Sequence, residues 1–176
     1  MAEHVILFTG PMGAGKTTAI QSLSDIPVIG TEAANSDREQ SDKPTTTVAL
    51  DYGEILVSDE EKVRLYGIPG QRRFEFMWRI LATDALGLVI LIDNSRPEPL
   101  DDLAIYLDAY QDLLPSMNCA VGIGRTLECP LPTIDDFCDM LAARGLVFPV
   151  LSVDVRQRDD VLMLVDTVLA QAEVRA

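Results

Sequence analysis

The sequence predicts an α/β fold: a three-layer sandwich whose six-stranded, mostly parallel sheet has one antiparallel edge hairpin. β-rich and amphipathic helical patterns alternate along the chain. Two neighbouring β-rich runs are separated by only a short polar turn, and a glycine-rich loop separates the first strand from the first helix. No repeat or linker divides the 176 residues, so we predict one domain over residues 1–176.

The N-terminal half contains the first strand, the first helix and the hairpin. His4–Thr9 is a short β-rich run that ends at a glycine turn, and Lys16–Leu23 has a helical pattern. The polar stretch Thr31–Pro44 has no apolar period and is predicted to be a mobile loop. Thr47–Leu56 and Lys62–Ile68 are β-rich, and the polar turn between them favours a hairpin over a crossover.

The C-terminal half predicts alternating strands and helices. Leu86–Ile92 is apolar without alternation, as is typical of a central parallel strand covered on both faces. Ligands bind such sheets at the carboxyl ends of the strands. The other predicted elements are a helix with Leu100, Leu103, Leu107, Tyr110 and Leu114 on one face, a strand at Cys119–Gly124, a helix at Ile134–Ala143, a strand at Val147–Val153, and a helix with Val161, Leu164, Val165, Val168 and Leu169 on one face.

Charge and hydropathy exclude several classes of partner. The formal net charge is −14, so bulk electrostatics oppose binding to nucleic acid or to an anionic membrane. A local positive site could still bind a nucleotide. The longest apolar stretch, Leu86–Ile92, is far shorter than a membrane span, and the first residues lack the basic region of a secretory signal. We therefore predict a cytoplasmic protein that neither binds nucleic acid nor inserts into a membrane.

A phosphate-binding loop is predicted at Gly10–Thr17. Its sequence, GPMGAGKT, matches G-x-x-x-x-G-K-[ST] at every position, and it lies between a strand and a helix. Lys16 is predicted to reach the β- and γ-phosphates of a nucleotide, and the Thr17 hydroxyl to bind Mg²⁺. Backbone N–H groups are expected to point at phosphate oxygens from Gly13, Ala14, Gly15, Lys16, Thr17 and Thr18.

Two further segments have residues that can contact the γ-phosphate. After the second hairpin strand comes the sequence YGIPGQRRF, in which Gly70 can donate its N–H and Gln71 can orient an attacking water. Before the first hairpin strand stand Thr45, Thr46 and Thr47, and a threonine there can close on Mg²⁺ and be released on hydrolysis. The alternative is that these threonines reflect the β-propensity of an edge strand.

These segments together resemble the Ras-like small GTPases, and the chain is similar to bacterial members related to the gliding-motility polarity GTPases and to the GTPases of actinobacterial conservon operons. The resemblance implies GTP and GDP as ligands, Mg²⁺ as cofactor, and protein regulators and effectors, among them a roadblock/longin-like dimer. The shared pattern T-x-x-x-D-[FY] assigns the Mg²⁺-binding threonine to Thr47, with Thr45 as the competing assignment.

The resemblance also implies catalytic roles. Lys16 and Gln71 are the expected catalytic residues together with an arginine of this chain, for which Arg73 is preferred over Arg72. The alternative for both arginines is a solvated helix face.

The chain departs from that family in its metal-binding and catalytic segments. Gly67 stands where the Ras-like pattern D-x-x-G has its aspartate, so Mg²⁺ would lose an indirect anchor that water or the loop threonine must replace. Met12 stands where Ras has a loop glycine, and its side chain would crowd an arginine finger supplied by a partner.

The guanine-binding segments depart as well. In the family pattern [NT]-K-x-D, Gly124 takes the place of Asn or Thr, Arg125 that of Lys, and Leu127 that of the Asp that binds guanine. A shift by one residue would instead bring Glu128 to the guanine-binding position. The last base-side loop offers the backbone N–H of Val155.

Three functions are compatible with these patterns. The leading hypothesis is a GTPase switch. A small-molecule kinase is an alternative, because GPMGAGKT resembles the loop of shikimate kinases, but Thr31–Pro44 offers only Arg38 toward the arginine-rich lid a kinase needs. A degenerate pseudo-GTPase scaffold is favoured by the lost guanine motif and opposed by the intact Lys16, Thr17 and Gln71.

Overall fold

The computed structural model describes residues 2–30 and 50–176, and these form the predicted α/β sandwich. The strands are β1 Ala2–Thr9, β2 Asp51–Ser58, β3 Glu61–Gly67, β4 Gly87–Asp93, β5 Asn118–Gly124 and β6 Val150–Ser152. The helices are α1 Lys16–Leu23, α2 Glu75–Thr83, α3 Pro99–Ala109, α4 Ile134–Ala143 and α5 Arg158–Arg175. The six strands have the order β2-β3-β1-β4-β5-β6, and only β2 and β3 pair antiparallel. The predicted fold class is confirmed.

Two apolar layers hold the helices against the sheet. One layer joins the sheet to α2, α3 and α4, and the other joins it to α1 and α5. Alternate residues of β4 enter opposite layers, Leu88 and Ile90 the first and Val89 and Leu91 the second. Because both faces of β4 are buried, the run Leu86–Ile92 is apolar without alternation. Each fully buried side chain of this size contributes about 1.5–3 kcal/mol to folding.

Local sequence signals account for some element bounds and not for others. Helices α1 and α4 begin and end where predicted, and a capping box between Thr133 and Asp136 starts α4. The predicted strand Val147–Val153 was too long, because only Val150–Ser152 pairs with β5 and Val147 is 93% exposed. Helix α3 was also predicted too long, since Leu114 is buried from a separate 3₁₀ turn.

Several predictions fall on residues outside the described ranges. The predicted loop Thr31–Pro44 and the threonines Thr45, Thr46 and Thr47 are among them. None of the helices within the described ranges combines the length and apolarity that a membrane crossing requires.

Candidate nucleotide site

The phosphate loop follows β1 and leads into α1. Gly10, Gly13 and Gly15 have φ angles of 142°, 81° and 96°, a region that favours glycine. A Cβ on Gly15 would also lie 2.7 Å from Val155 Cγ2, so this position needs glycine for packing as well. Consecutive turns of this kind form the concave arrangement of N–H groups that binds anions.

The Lys16 side chain folds back over this loop. Its ammonium donates hydrogen bonds to the carbonyl oxygens of Gly10 at 2.7 Å and Pro11 at 2.8 Å. Burial lowers the pKa of Lys16 to about 8, and the nearby Asp51 carboxylate acts in the opposite direction. Burial disfavours the charged form of the ammonium. An anion bound at the loop would favour that charged form, because the two charges are opposite.

The Thr17 hydroxyl meets a carboxylate that sequence reasoning missed. Thr17 Oγ1 donates a hydrogen bond to Asp51 Oδ2, and Asp51 is the first residue of β2. The family pattern T-x-x-x-D-[FY] contains Asp51, but the pattern alone assigned it no role. Thr47, the other predicted metal ligand, lies outside the described residues.

These oxygens fit Mg²⁺ bound with a nucleotide. Hydroxyl and carboxylate oxygens are the ligands that Mg²⁺ prefers, and nucleotide sites need only one or two carboxylates because phosphates supply further ligands. Over residues 2–30 and 50–176, no group of three or more His, Cys, Asp or Glu could hold a metal by itself. A metal at Thr17 and Asp51 would therefore depend on a bound phosphate.

Gly70 packs directly against the phosphate loop. A methyl group on Gly70 would lie 2.8 Å from Met12 N, and closer still to the Gly10 carbonyl oxygen. The preceding carbonyl, that of Pro69, accepts a hydrogen bond from Trp78 Nε1 at 2.9 Å, and the Gly70 carbonyl accepts one from Tyr106 Oη at 3.2 Å. Two buried aromatic residues thus hold this segment beside the loop.

Gly70→Ala is expected to destabilise the protein by about 1–3 kcal/mol, because the added methyl would meet backbone atoms that cannot move aside cheaply. Urea unfolding followed by circular dichroism measures this. Gly124→Ala is the matched control: its Cβ would meet atoms no closer than 3.6 Å, so we expect a change within about 0.5 kcal/mol. Equal stability of the Gly70 variant and the unaltered protein would contradict the packing described here.

The catalytic candidates after Gly70 lie close to the loop but make different contacts. Gln71 Nε2 donates to Met12 Sδ at 3.3 Å, so the amide is already in contact with the loop. Arg73 lies over the ring of Phe74, with its guanidinium carbon 4.7 Å from the ring centroid. Arg72 lies 3.7 Å from a Glu75 carboxylate oxygen. The catalytic role of either arginine stays a prediction.

A cavity of about 920 Å³ opens beside the phosphate loop at the carboxyl ends of β4, β5 and β6. Except for Gly70, every predicted nucleotide-binding residue among the described ranges lines it. These lining residues are Gly13, Ala14, Gly15, Lys16, Thr17, Thr18, Arg125, Glu128 and Val155. The position agrees with the general location of ligand sites in open α/β sheets. That these residues bind a nucleotide stays a prediction.

Arg125 stands at the wall of this cavity. It has a φ of 60°, and its guanidinium donates to Ser95 Oγ at 3.3 Å and lies 3.7 Å from Asp93 Oδ2. Sequence reasoning missed Asp93 and Ser95. Their position directly after the buried strand β4 was the available signal, because ligands bind at the carboxyl ends of such strands.

The guanine-binding positions differ from the family pattern in the structure as well. Leu127 is 95% exposed, so an apolar side chain points into solvent where the family has its aspartate. Glu128 is also exposed and lines the cavity. Another carboxylate at the cavity, Asp154, accepts hydrogen bonds from Arg156, which lower its pKa to about 2. Asp154 is therefore ionised at neutral pH.

The strand order, the loop between β1 and α1 and the cavity beside it define the class: a P-loop α/β sandwich of Ras-like topology. No protein-family model matches the chain. It is 31% identical to intraflagellar transport protein 22 of Chlamydomonas reinhardtii over 109 residues, 60% of this chain and 53% of that protein. It is 30% identical over 94 residues to an uncharacterized protein of Methanocaldococcus jannaschii, with 53% of each chain covered.

The chain thus spans about half the length of the curated relatives it matches. A relationship to the bacterial Ras-like GTPases stays a prediction.

Proposed function

We propose that this protein is a cytoplasmic molecular switch that binds GTP with Mg²⁺, hydrolyses it slowly to GDP, and signals to protein partners. The packing of Gly70 against the phosphate loop supports this proposal most strongly. A γ-phosphate bound in the loop would contact the segment that contains Gly70. Loss of that phosphate would therefore change the surroundings of Gly70.

The proposed roles of Lys16, Gly70, Gln71 and Thr17 follow from their described positions, and that of Thr47 follows from the family resemblance alone. Lys16 binds the β- and γ-phosphates in place of its present carbonyl partners, and Gly70 donates its N–H to the γ-phosphate. Gln71 orients the attacking water after leaving Met12. Thr17 and Thr47 would hold Mg²⁺, which neutralises phosphate charge when bound.

A protein partner is proposed at helix α2. Phe76 and Ile80 lie on this helix, shortly after Gln71, and more than half of each side chain is exposed. Met12 of the phosphate loop is 61% exposed. Exposed apolar side chains beside a nucleotide-dependent segment suit a partner that distinguishes the two nucleotide states. From the family resemblance we propose a roadblock/longin-like dimer as this partner.

Nucleotide content of the purified protein tests the proposal directly. We expect mass spectrometry to find GDP, with GTP or GDP rebinding in titration calorimetry. ADP or ATP in its place would favour a kinase. A protein that carries no nucleotide and binds none would be a pseudo-GTPase scaffold, an alternative that the exposed Leu127 favours.

Preference for guanine is expected to be real but small. Without an acceptor at Leu127, two N–H donors of guanine lose the matched partner that gives large discrimination. We expect GDP to bind more tightly than ADP by about 1.4–2.7 kcal/mol, or roughly 10- to 100-fold. Calorimetry with both nucleotides measures the difference.

Leu127→Asp should widen the difference, whereas Val147→Asp, an equally exposed apolar position away from the cavity, should leave it unchanged. If Leu127→Asp has no effect and Glu128→Ala abolishes the preference, the shifted alignment that uses Glu128 is correct.

A further inference from the structure

The indole of Trp78 is held in the core next to the segment that follows β3. Trp78 lies on α2 and is fully buried. Its ring stacks on Tyr106, with centroids 4.9 Å apart, and on Tyr110, with centroids 6.3 Å apart. A buried indole N–H needs an acceptor, which here is the Pro69 carbonyl oxygen, 2.9 Å from Nε1. Because packing fixes the ring, this hydrogen bond sets the direction of the Pro69 carbonyl.

One peptide group joins that carbonyl to the N–H of Gly70. The bond between Pro69 and Gly70 is trans, so the C=O and the N–H point in opposite directions. The carbonyl points at the Trp78 indole, and the Gly70 N–H therefore points away from it. Within residues 2–30 and 50–176, no group accepts a hydrogen bond from this N–H. Since Gly70 packs against the phosphate loop, a donor without a partner in the described ranges lies beside that loop.

The neighbouring backbone is held in place as well. The Gly70 carbonyl shares its peptide group with the Gln71 N–H and accepts a hydrogen bond from Tyr106 Oη at 3.2 Å. Burial raises the pKa of Tyr106, so this hydroxyl stays protonated. The Ile68 N–H donates to the Phe8 carbonyl oxygen at 2.9 Å. The segment belongs to no helix or strand, yet hydrogen bonds fix its backbone on both sides of the Gly70 N–H.

We propose that Trp78 is a positioning residue that directs the Gly70 N–H at the γ-phosphate, and so lets the protein distinguish GTP from GDP. The inference rests on the proposed nucleotide binding and adds to it the residue on which the γ-phosphate contact depends. Without the indole N–H, the peptide group could rotate and turn the Pro69 carbonyl oxygen toward the phosphate, which would repel it. GDP has no γ-phosphate, so its affinity should not depend on this hydrogen bond.

Replacement of the indole nitrogen tests this. Trp78 is the only tryptophan of the chain, so a tryptophan-auxotrophic host supplied with benzothienylalanine replaces this residue alone. Benzothienylalanine has a sulfur in place of the N–H and nearly the same ring shape, so the donor is lost while the packing is kept. We expect the affinity for the non-hydrolysable β,γ-imido analogue of GTP to fall about 3- to 10-fold, the effect of one hydrogen bond. The affinity for GDP should stay unchanged, and titration calorimetry in Mg²⁺ measures both.

Two matched proteins serve as controls. Fluorotryptophan keeps the N–H, so its incorporation should give the same ratio of the two affinities as the unaltered protein. Tyr110→Phe removes a hydroxyl from the same aromatic stack, but that hydroxyl bonds to Thr9 Oγ1 at 3.3 Å and not to the segment around Gly70. This variant should also leave the ratio unchanged.

The ratio of affinities separates positioning from a purely structural role. An unchanged ratio in the benzothienylalanine protein would overturn the inference, although the proposed switch would survive that result. Equal weakening of both ligands would mean that the hydrogen bond only stabilises the fold, and would overturn the inference too. If the unaltered protein binds neither ligand, the proposed function fails and this inference fails with it.

Discussion

Lys16→Ala is expected to abolish nucleotide binding while the fold stays intact. The Lys16 ammonium is the charged side chain that the loop directs toward the β- and γ-phosphates, and in the structure it already spans the loop through Gly10 and Pro11. Its loss removes a charge-assisted contact inside a partly desolvated site. We expect GTP and GDP affinity to fall at least about 100-fold, which corresponds to about 2.7 kcal/mol.

Titration calorimetry in Mg²⁺, with circular dichroism to check folding, decides this result. Lys62→Ala is the matched control, since it removes the same charge from β3 at a position that pairs with Glu3 and Glu54 and is not part of the loop. Undiminished affinity in Lys16→Ala would mean that Gly10–Thr17 is not the phosphate site.

Single-turnover GTP hydrolysis by the isolated protein is expected to be slow, and Gln71→Leu should make it slower still. The Gln71 amide is held at Met12 Sδ and must move to orient a water. From the family resemblance we also expect the exposed Met12 side chain to crowd the route of an arginine supplied by a partner. Charge on the transferring phosphoryl group would then be stabilised by Arg73 or another arginine of this chain after a partner rearranges the segment.

A roadblock-type partner should therefore accelerate hydrolysis without adding an arginine of its own. Arginine fingers contribute about 10³–10⁵-fold in reference GTPases, which sets the upper range for the stimulation. Gln71→Leu should reduce the stimulated rate about 100-fold, the effect of losing correct orientation. Gln111→Leu, at an exposed position beyond α3, is the control and should hydrolyse GTP at the normal rate. Rapid hydrolysis by isolated Gln71→Leu would show that another group positions the water, and the Ras-like mechanism would have to be abandoned.

The bounds of the phosphate loop and of two helices could be predicted, because they depend on residues that are neighbours in the sequence. The phosphate loop and α1 are adjacent in sequence, and α4 carries its own capping box, so their bounds could be predicted. The extent of β6 could not, because an apolar run such as Val147–Val153 does not show which residues find a strand to pair with.

The contact between Asp51 and Thr17 could not be predicted from composition or periodicity, because it depends on how β2 pairs with β3. The position of Asp51 opposite Gly67 follows from the register of β2 against β3, and a slip by one residue would turn its side chain to the other face. A bulge near Ser58 further shifts that register, so counting from the turn would have misplaced the pair. The cavity beside the phosphate loop also combines loops that are distant in sequence, from Ser95 to Asp154.

The hydrogen bond between Trp78 and Pro69 gives the protein an internal optical reporter. Trp78 is the only tryptophan of the chain, it is fully buried, and it stacks on Tyr106 with ring centroids 4.9 Å apart. Both rings bond to the backbone at Pro69 and Gly70, so a displacement of that backbone would change the polarity around the one indole. Its emission would therefore report a movement of that backbone in real time, without a label.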